Sequence, residues 1–346
     1  MIKTKNLVIL GVALVVLLGV SLMQKSGHKK ATNQSSVVEL VATGIVPDDL
    51  SRITIGFGAD SEAVALSNSP VGWLVDTAWG AKANLVRIEA LVSALTGLGG
   101  EYRSDNADVL PDYGLGEQNA ITIRAFDPAG ETVIALNVGL KPEGGQGNFV
   151  HQPQSNKVYI SLKNLLSPLG IYDKPEVPQS RFFLELQALQ QDRLEIDRMI
   201  VTNNGQQLEF LKIFAQQETP EGAEDAPLTF DRNTWEWRLA GDNSVPLAKT
   251  KVDAVLNSMV AIRATDLADP KADLATYGLD ATDRRVEMYL QDGRVLKLNF
   301  GDDRPALNSA PAGTFMQMEG DSTVWIVTEY AITNIFKGLA DLQPDE

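Results

Sequence analysis

The sequence predicts an α+β fold: a tandem duplication of a mixed, mainly antiparallel sheet packed with helices, preceded by one N-terminal transmembrane helix. Three observations predict it. Trp73 and Trp237 lie 164 residues apart, and so do Tyr113-Gly114-Leu115 and Tyr277-Gly278-Leu279. In each copy, period-two runs typical of strands surround one stretch whose apolar residues recur every three or four positions, as a helix requires. Ahead of both copies, seventeen apolar or small residues run from Leu7 to Met23 without a charge.

That apolar run is flanked by Lys3 and Lys5 on one side and by Lys25, Lys29 and Lys30 on the other. A cleaved signal peptide has an apolar core of about 7 to 15 residues ending in a small-x-small site. Gly19-Val20-Ser21 is a poor one, and the length fits an uncleaved anchor with snorkelling lysines. Charge is similar on both sides and does not orient the helix. A short tail before a large body places the body in the periplasm. Residues 1–6 then form a cytoplasmic tail, 7–23 the anchor in the inner membrane, and 24–45 a polar tether.

The first repeat domain spans 46–172. Leu50 to Phe57 and Ala63 to Leu66 alternate as a hairpin, and Val71 to Val75 around Trp73 reads as a further strand. Leu85, Ile88, Leu91, Val92, Leu95 and Leu98 mark one helix face, which Gly99-Gly100 is expected to end. Ile121 to Phe126 and Thr132 to Val138 flank the turn Asp127-Pro128-Ala129-Gly130. Lys157 to Ser161 follows as a strand, then a short helix at 162–169. After Pro168, Pro175 and Pro178 punctuate a linker over 173–191, since proline lacks a backbone donor and stiffens the chain.

The second repeat domain, 192–342, reads in the same order. The 164-residue spacing carries Leu85 onto Lys249, Leu91 onto Val255, Leu95 onto Met259 and Asp105 onto Asp269. Val324-Trp325-Ile326 answers Val158-Tyr159-Ile160, and a terminal helix carries Ile332, Ile335, Phe336, Leu339 and Leu342 on one face. An acidic insertion at 216–229 reads as a surface loop.

Composition bounds the function. The chain has 346 residues, 44% of them hydrophobic, and a net charge of −15, enough for two domains with their own cores. An acidic body repels phosphate backbones, which excludes nucleic acid as a partner and leaves hydrophobic contact through Leu7 to Met23 as the route to a lipid bilayer. Cysteine is absent, which excludes disulfides, thiolate nucleophiles and thiolate zinc sites.

Candidate chemistry is sparse. His151, the one histidine outside the tether, follows a glycine-rich loop whose spacing is that of neither a P-loop nor a dinucleotide fingerprint. Asp302-Asp303-Arg304 could form a carboxylate pair, but the first copy has Gly139-Leu140-Lys141 nearby, so no shared mechanism is encoded. Asp105-x-x-Asp108 and Asp266-x-x-Asp269 lack the alternating oxygen ligands of a calcium loop. No catalytic residue, cofactor site or metal site is therefore expected. Trp73 and Trp237 read as core anchors. Trp79 stands outside the alternation opposite Asn243, and is the candidate partner contact.

A Trp-x-Leu pattern (Trp237-Arg238-Leu239, and Trp73-Leu74-Val75 with Val75 in place of the leucine), an apolar helix, Leu-x-x-Tyr-Gly-Leu at 110–115 and 274–279, and a Gly-Arg-type hairpin together resemble a bacterial domain family of unassigned function, present once per copy. That domain also occurs in auxiliary components of gliding-motility-type ABC transport systems. The resemblance carries no catalytic residues. It implies a membrane-anchored, extracytoplasmic accessory or scaffold protein beside an ABC-type transport or envelope system, rather than an enzyme. The alternative is an extracytoplasmic ligand-binding module with its site between the two domains.

Overall fold

A computed structural model describes residues 37–217, 229–306 and 310–345. In the first half the strands are Val37–Glu39 (β1), Arg52–Phe57 (β2), Asp60–Ser69 (β3), Gly72–Val75 (β4), Ala81–Lys82 (β5), Gly99–Ser104 (β6), Ile121–Phe126 (β7), Thr132–Val138 (β8), Phe149–His151 (β9) and Val158–Ser161 (β10). They form one ten-stranded sheet in the order β1-β6-β10-β9-β8-β7-β2-β3-β4-β5. Helix α1, Leu85–Leu95, lies between β5 and β6. Asn84 caps it by accepting a hydrogen bond from the Arg87 backbone N–H, and Ile88, Leu91, Val92 and Leu95 are buried.

The second half contains Gln187–Gln190 (β11), Ile196–Asn203 (β12), Gln206–Gln216 (β13), Phe230–Leu239 (β14), Ala261–Arg263 (β15), Asp266–Leu267 (β16), Arg284–Leu290 (β17), Val295–Arg304 (β18), Gly313–Met318 (β19) and Val324–Val327 (β20). Eight of these make a sheet that reads β16-β20-β19-β18-β17-β12-β13-β14 from one edge. Matched element by element, this is the order of the first sheet from β6 to β4. Helix α2, Lys249–Val260, buries Val252, Val255, Leu256 and Met259, each 164 residues beyond its counterpart in α1. Helix α3, Glu329–Ile335, follows β20.

These observations correct the expected fold class. Every strand pairing among the described residues is antiparallel, so the sheets are not mixed, and three short helices make the body predominantly antiparallel β rather than α+β. Short strands such as β1, β5, β9 and β16 exist through pairing at a neighbouring edge, and two or three residues carry no readable alternation. The helix expected at 162–169 shrinks to one turn, Ser167–Leu169, ended by Gly170 at φ 77°. Helix α1 stops at Leu95, and Gly99-Gly100 open β6 instead of ending the helix. The transmembrane helix expected at 7–23 lies outside the described residues. Among those described, no helix is long and apolar enough to cross a membrane. Most of the expected insertion at 216–229 is likewise outside them.

The proline-punctuated segment between the halves joins them through backbone pairing. The Asn84 N–H donates to the Phe183 carbonyl (2.7 Å) and Glu185 N–H to that of Lys82 (2.9 Å). A few residues on, β11 pairs with β15 of the second half. The two apolar cores also meet. Leu267 of β16 is buried in the first core, and Trp325 of β20 packs against both.

Candidate functional site

The residues repeated most faithfully build a backbone lock. Gly114 and Gly278 take φ of 68° and 64°, a left-handed conformation open to glycine at little cost. The turn is held by Leu115 N–H to Leu110 carbonyl (2.9 Å) and, in the other half, Leu279 N–H to Leu274 carbonyl (3.0 Å). Each turn presses its tyrosine carbonyl on a second glycine: a β-carbon at Gly139 would overlap the Tyr113 oxygen, and one at Gly301 the Tyr277 oxygen. Tyr113 packs on Phe149 at 4.4 Å between ring centroids, and Tyr277 on Phe315 at 4.6 Å. Leu115 and Leu279 are buried. The motif is a structural one, and both Phe residues, Gly139 just after β8 and Gly301 of β18 belong to it. Sequence reasoning missed those four because nothing local marks a close approach.

Around the two equivalent tryptophans the halves diverge. Trp73 and Trp237 are each buried, but the Trp73 indole N–H finds no partner, while that of Trp237 donates to Asp253 Oδ1 at 2.7 Å. Trp235 donates to the same oxygen (3.2 Å), and Lys249 Nζ donates to Oδ2 (2.6 Å). Burial opposes ionisation of Asp253, but hydrogen bonds from Lys249, Trp237 and Trp235 outweigh it and hold its pKa below the usual carboxylate value. Lys249 Nζ stands 3.8 Å and Lys212 Nζ 4.5 Å from the Trp235 ring centroid, two cations over one indole. Lys212 is buried and donates to the Arg193 carbonyl (2.5 Å). Desolvation lowers its pKa to about 8. Where the second half places Asp253, the first has the exposed Glu89.

Trp79 sits in a left-handed backbone conformation, φ 58°, and is 48% exposed. The loop below it is fixed: Thr77 Oγ1 accepts from the Ala65 N–H (3.3 Å) and hydrogen bonds Ser180 Oγ of the joining segment (2.8 Å). Holding a bulky L residue in this region costs about 1–2 kcal/mol.

A cleft of about 260 Å³ opens where the halves meet. Its walls come from the start of α1, the joining segment and β15, and they carry Arg87, Arg181, Arg263 and Glu176. The Arg87 guanidinium stacks on Phe182 at 4.3 Å.

Other sequence candidates resolve as structure. His151 is buried, with Nδ1 3.1 Å from the Gln152 and Ser155 carbonyls and Nε2 2.9 Å from Asn137 Nδ2. Those carbonyls place the proton on Nδ1, leaving Nε2 to accept from Asn137. Asp303 is solvent-exposed and accepts from Thr314 Oγ1 (2.6 Å), and Asp266 pairs with Arg304 (3.3 Å). Among the described residues no group of three His, Cys, Asp or Glu is placed to hold a metal ion.

Residues 237–343 match the model of a family described as a domain of unknown function, DUF4340. The match opens at Trp237 and runs through α2, the Tyr277-Gly278-Leu279 turn and the four strands β17–β20 to the residues after α3. Comparison with curated proteins and with solved structures gave no match.

Proposed function

We propose that both halves are copies of this domain, and that the chain is a non-enzymatic, membrane-anchored accessory or scaffold protein whose body faces the periplasm. In this reading residues 7–23 hold it to the bilayer and its partner is a protein of an ABC-type transport or envelope system. The observation that carries it is Trp79. A half-exposed indole on a hydrogen-bonded, strained loop is a prepaid contact, since tryptophan is enriched at the energetic centres of interfaces and little order is left to be lost on docking. The common strand order of the two halves supports the duplication. The link to transport rests on the resemblance of the Trp and Tyr-Gly-Leu motifs, and the anchor on the sequence of residues 7–23.

Mild crosslinking of the full-length protein in its native membrane, followed by identification of what co-purifies, tests this. ABC transporter subunits should be recovered with the wild type and lost with Trp79→Ala and Trp79→Gly. Recovery that is identical in all three would remove Trp79 from the interface, and recovery of the chain alone would sink the scaffold reading. A second reading, a ligand-binding module, is favoured by the cleft between the halves.

A further inference from the structure

We infer that the cleft between the halves binds a small divalent anion bearing carboxylate or phosphate groups; this deepens the second reading and rests on it. The cleft draws one arginine from each of three separate parts of the chain: Arg87 from the first turn of α1, Arg181 from the joining segment and Arg263 from β15. Among the described residues, none of these guanidinium groups makes an ion pair or a side-chain hydrogen bond. Glu176 is the one acidic residue of the lining, so the walls carry a formal charge of +2 in a chain whose net charge is −15.

That contrast is the core of the inference. Several other arginines of this acidic protein have a carboxylate within reach, as Arg52 has Glu62, Arg198 has Glu209 and Arg304 has Asp266, and an unpaired one such as Arg124 lies outside the cleft. Three guanidiniums on one concave surface without such partners leave a field that a bound anion would neutralise. Guanidinium matches carboxylate and phosphate alike, because its planar fork offers paired N–H donors to two oxygens. The Phe182 ring under the Arg87 guanidinium restrains that side chain at the cleft wall without using up a hydrogen-bond donor. The floor is rigid as well: Phe182 packs edge-on against buried Phe183 and lies so close to Gly170 that a side chain at 170 would strike its ring. A volume of about 260 Å³ suits a small acid or phosphate ester and is too small for a folded partner. Because its walls belong to both halves and to the segment between them, an occupant would tie the halves together.

The test is isothermal titration of the full-length protein at low ionic strength with three probes: inorganic phosphate, citrate, and the short-chain lipid dihexanoyl phosphatidate. The first two represent free anions and the third a lipid headgroup, so their ranking identifies the source. At least one should bind, with affinity falling about tenfold in Arg181→Gln and again in Arg263→Gln, and with the interaction weakening as salt is raised. Glu176→Gln should tighten binding two- to fivefold, an effect that misfolding could not produce. Arg124→Gln, an exposed arginine on β7 outside the cleft, should change nothing. Absence of binding by all three probes would overturn the inference, as would equal affinity in the Arg181, Arg263 and Arg124 variants. Neither result bears on recovery of a partner by crosslinking through Trp79, so the two proposals fail separately.

Discussion

Trp73 and Trp237 stand on matching strands of two sheets with the same order, yet one indole N–H is buried without a partner and the other feeds a carboxylate shared with a second tryptophan and a lysine. The Tyr-Gly turns, by contrast, repeat down to the ring that each tyrosine packs against. The difference separates two kinds of constraint. Positions where backbone meets backbone admit a single solution and persist, whereas a polar network can be added to one half so long as every buried group in it is satisfied.

The largest expected effect tests the part the halves share. Gly139→Ala and Gly301→Ala each force a β-carbon into a tyrosine carbonyl oxygen, and each should destabilise its half by about 3 kcal/mol or more. Urea unfolding followed by tryptophan fluorescence would measure it; a loss below about 1 kcal/mol in either variant would mean that the lock is not the common element. The next tests where the halves differ. Asp253→Ala strands two indole N–H groups and a lysine, and should cost about 2–4 kcal/mol, while Glu89→Ala at the matching exposed position should stay within about 0.5 kcal/mol. Equal losses would erase the contrast.

Lys212 sharpens the same comparison through pH. Its folded pKa of about 8 lies below the ordinary 10.5, so the unfolded chain holds more protons between those values and stability rises with pH across that window. The penalty of burying the charge is fully present below pH 8 and bounded by about 3 kcal/mol. Subtracting the pH profile of Lys212→Met from that of the wild type should isolate the rise, and a flat difference between pH 8 and 10.5 would show that the lysine is not desolvated. The smallest effect belongs to Trp79→Gly. Relief of a left-handed tryptophan offsets the lost packing of a half-exposed ring, so thermal unfolding should move by no more than about 1 kcal/mol, leaving any loss of partner recovery attributable to contact.

Much of the fold was legible in the residues. The helix faces at Ile88, Leu91, Val92 and Leu95 and their counterparts, the hairpin around 127–130, and the buried tryptophans all declare themselves by period or turn chemistry. The excess of β over helix did not, because two-residue strands such as β5 and β16 have no periodicity to read. The lock was half visible: Tyr113-Gly114-Leu115 repeats as a string, but its partners Gly139 and Phe149 lie 25 and 35 residues beyond Gly114 and are tied to it only by contact. Of the candidate surfaces, Trp79 stood out from its strand alternation, whereas Arg87, Arg181 and Arg263 carry no common pattern at all.

By itself, then, the sequence determined the positions that local physics governs: which residues face a helix's apolar side, where a glycine must turn the chain, that the chain is acidic and free of thiols, and that two stretches share one spacing. Tertiary structure alone decided how the joining segment pairs first with β5 and then with β11's partner β15, which tryptophan gains a carboxylate, and that three distant arginines share one cleft. The reason is range. Periodicity and turn propensity act over a few residues, while charge convergence and close backbone approach depend on groups that only folding brings within a few ångströms of one another.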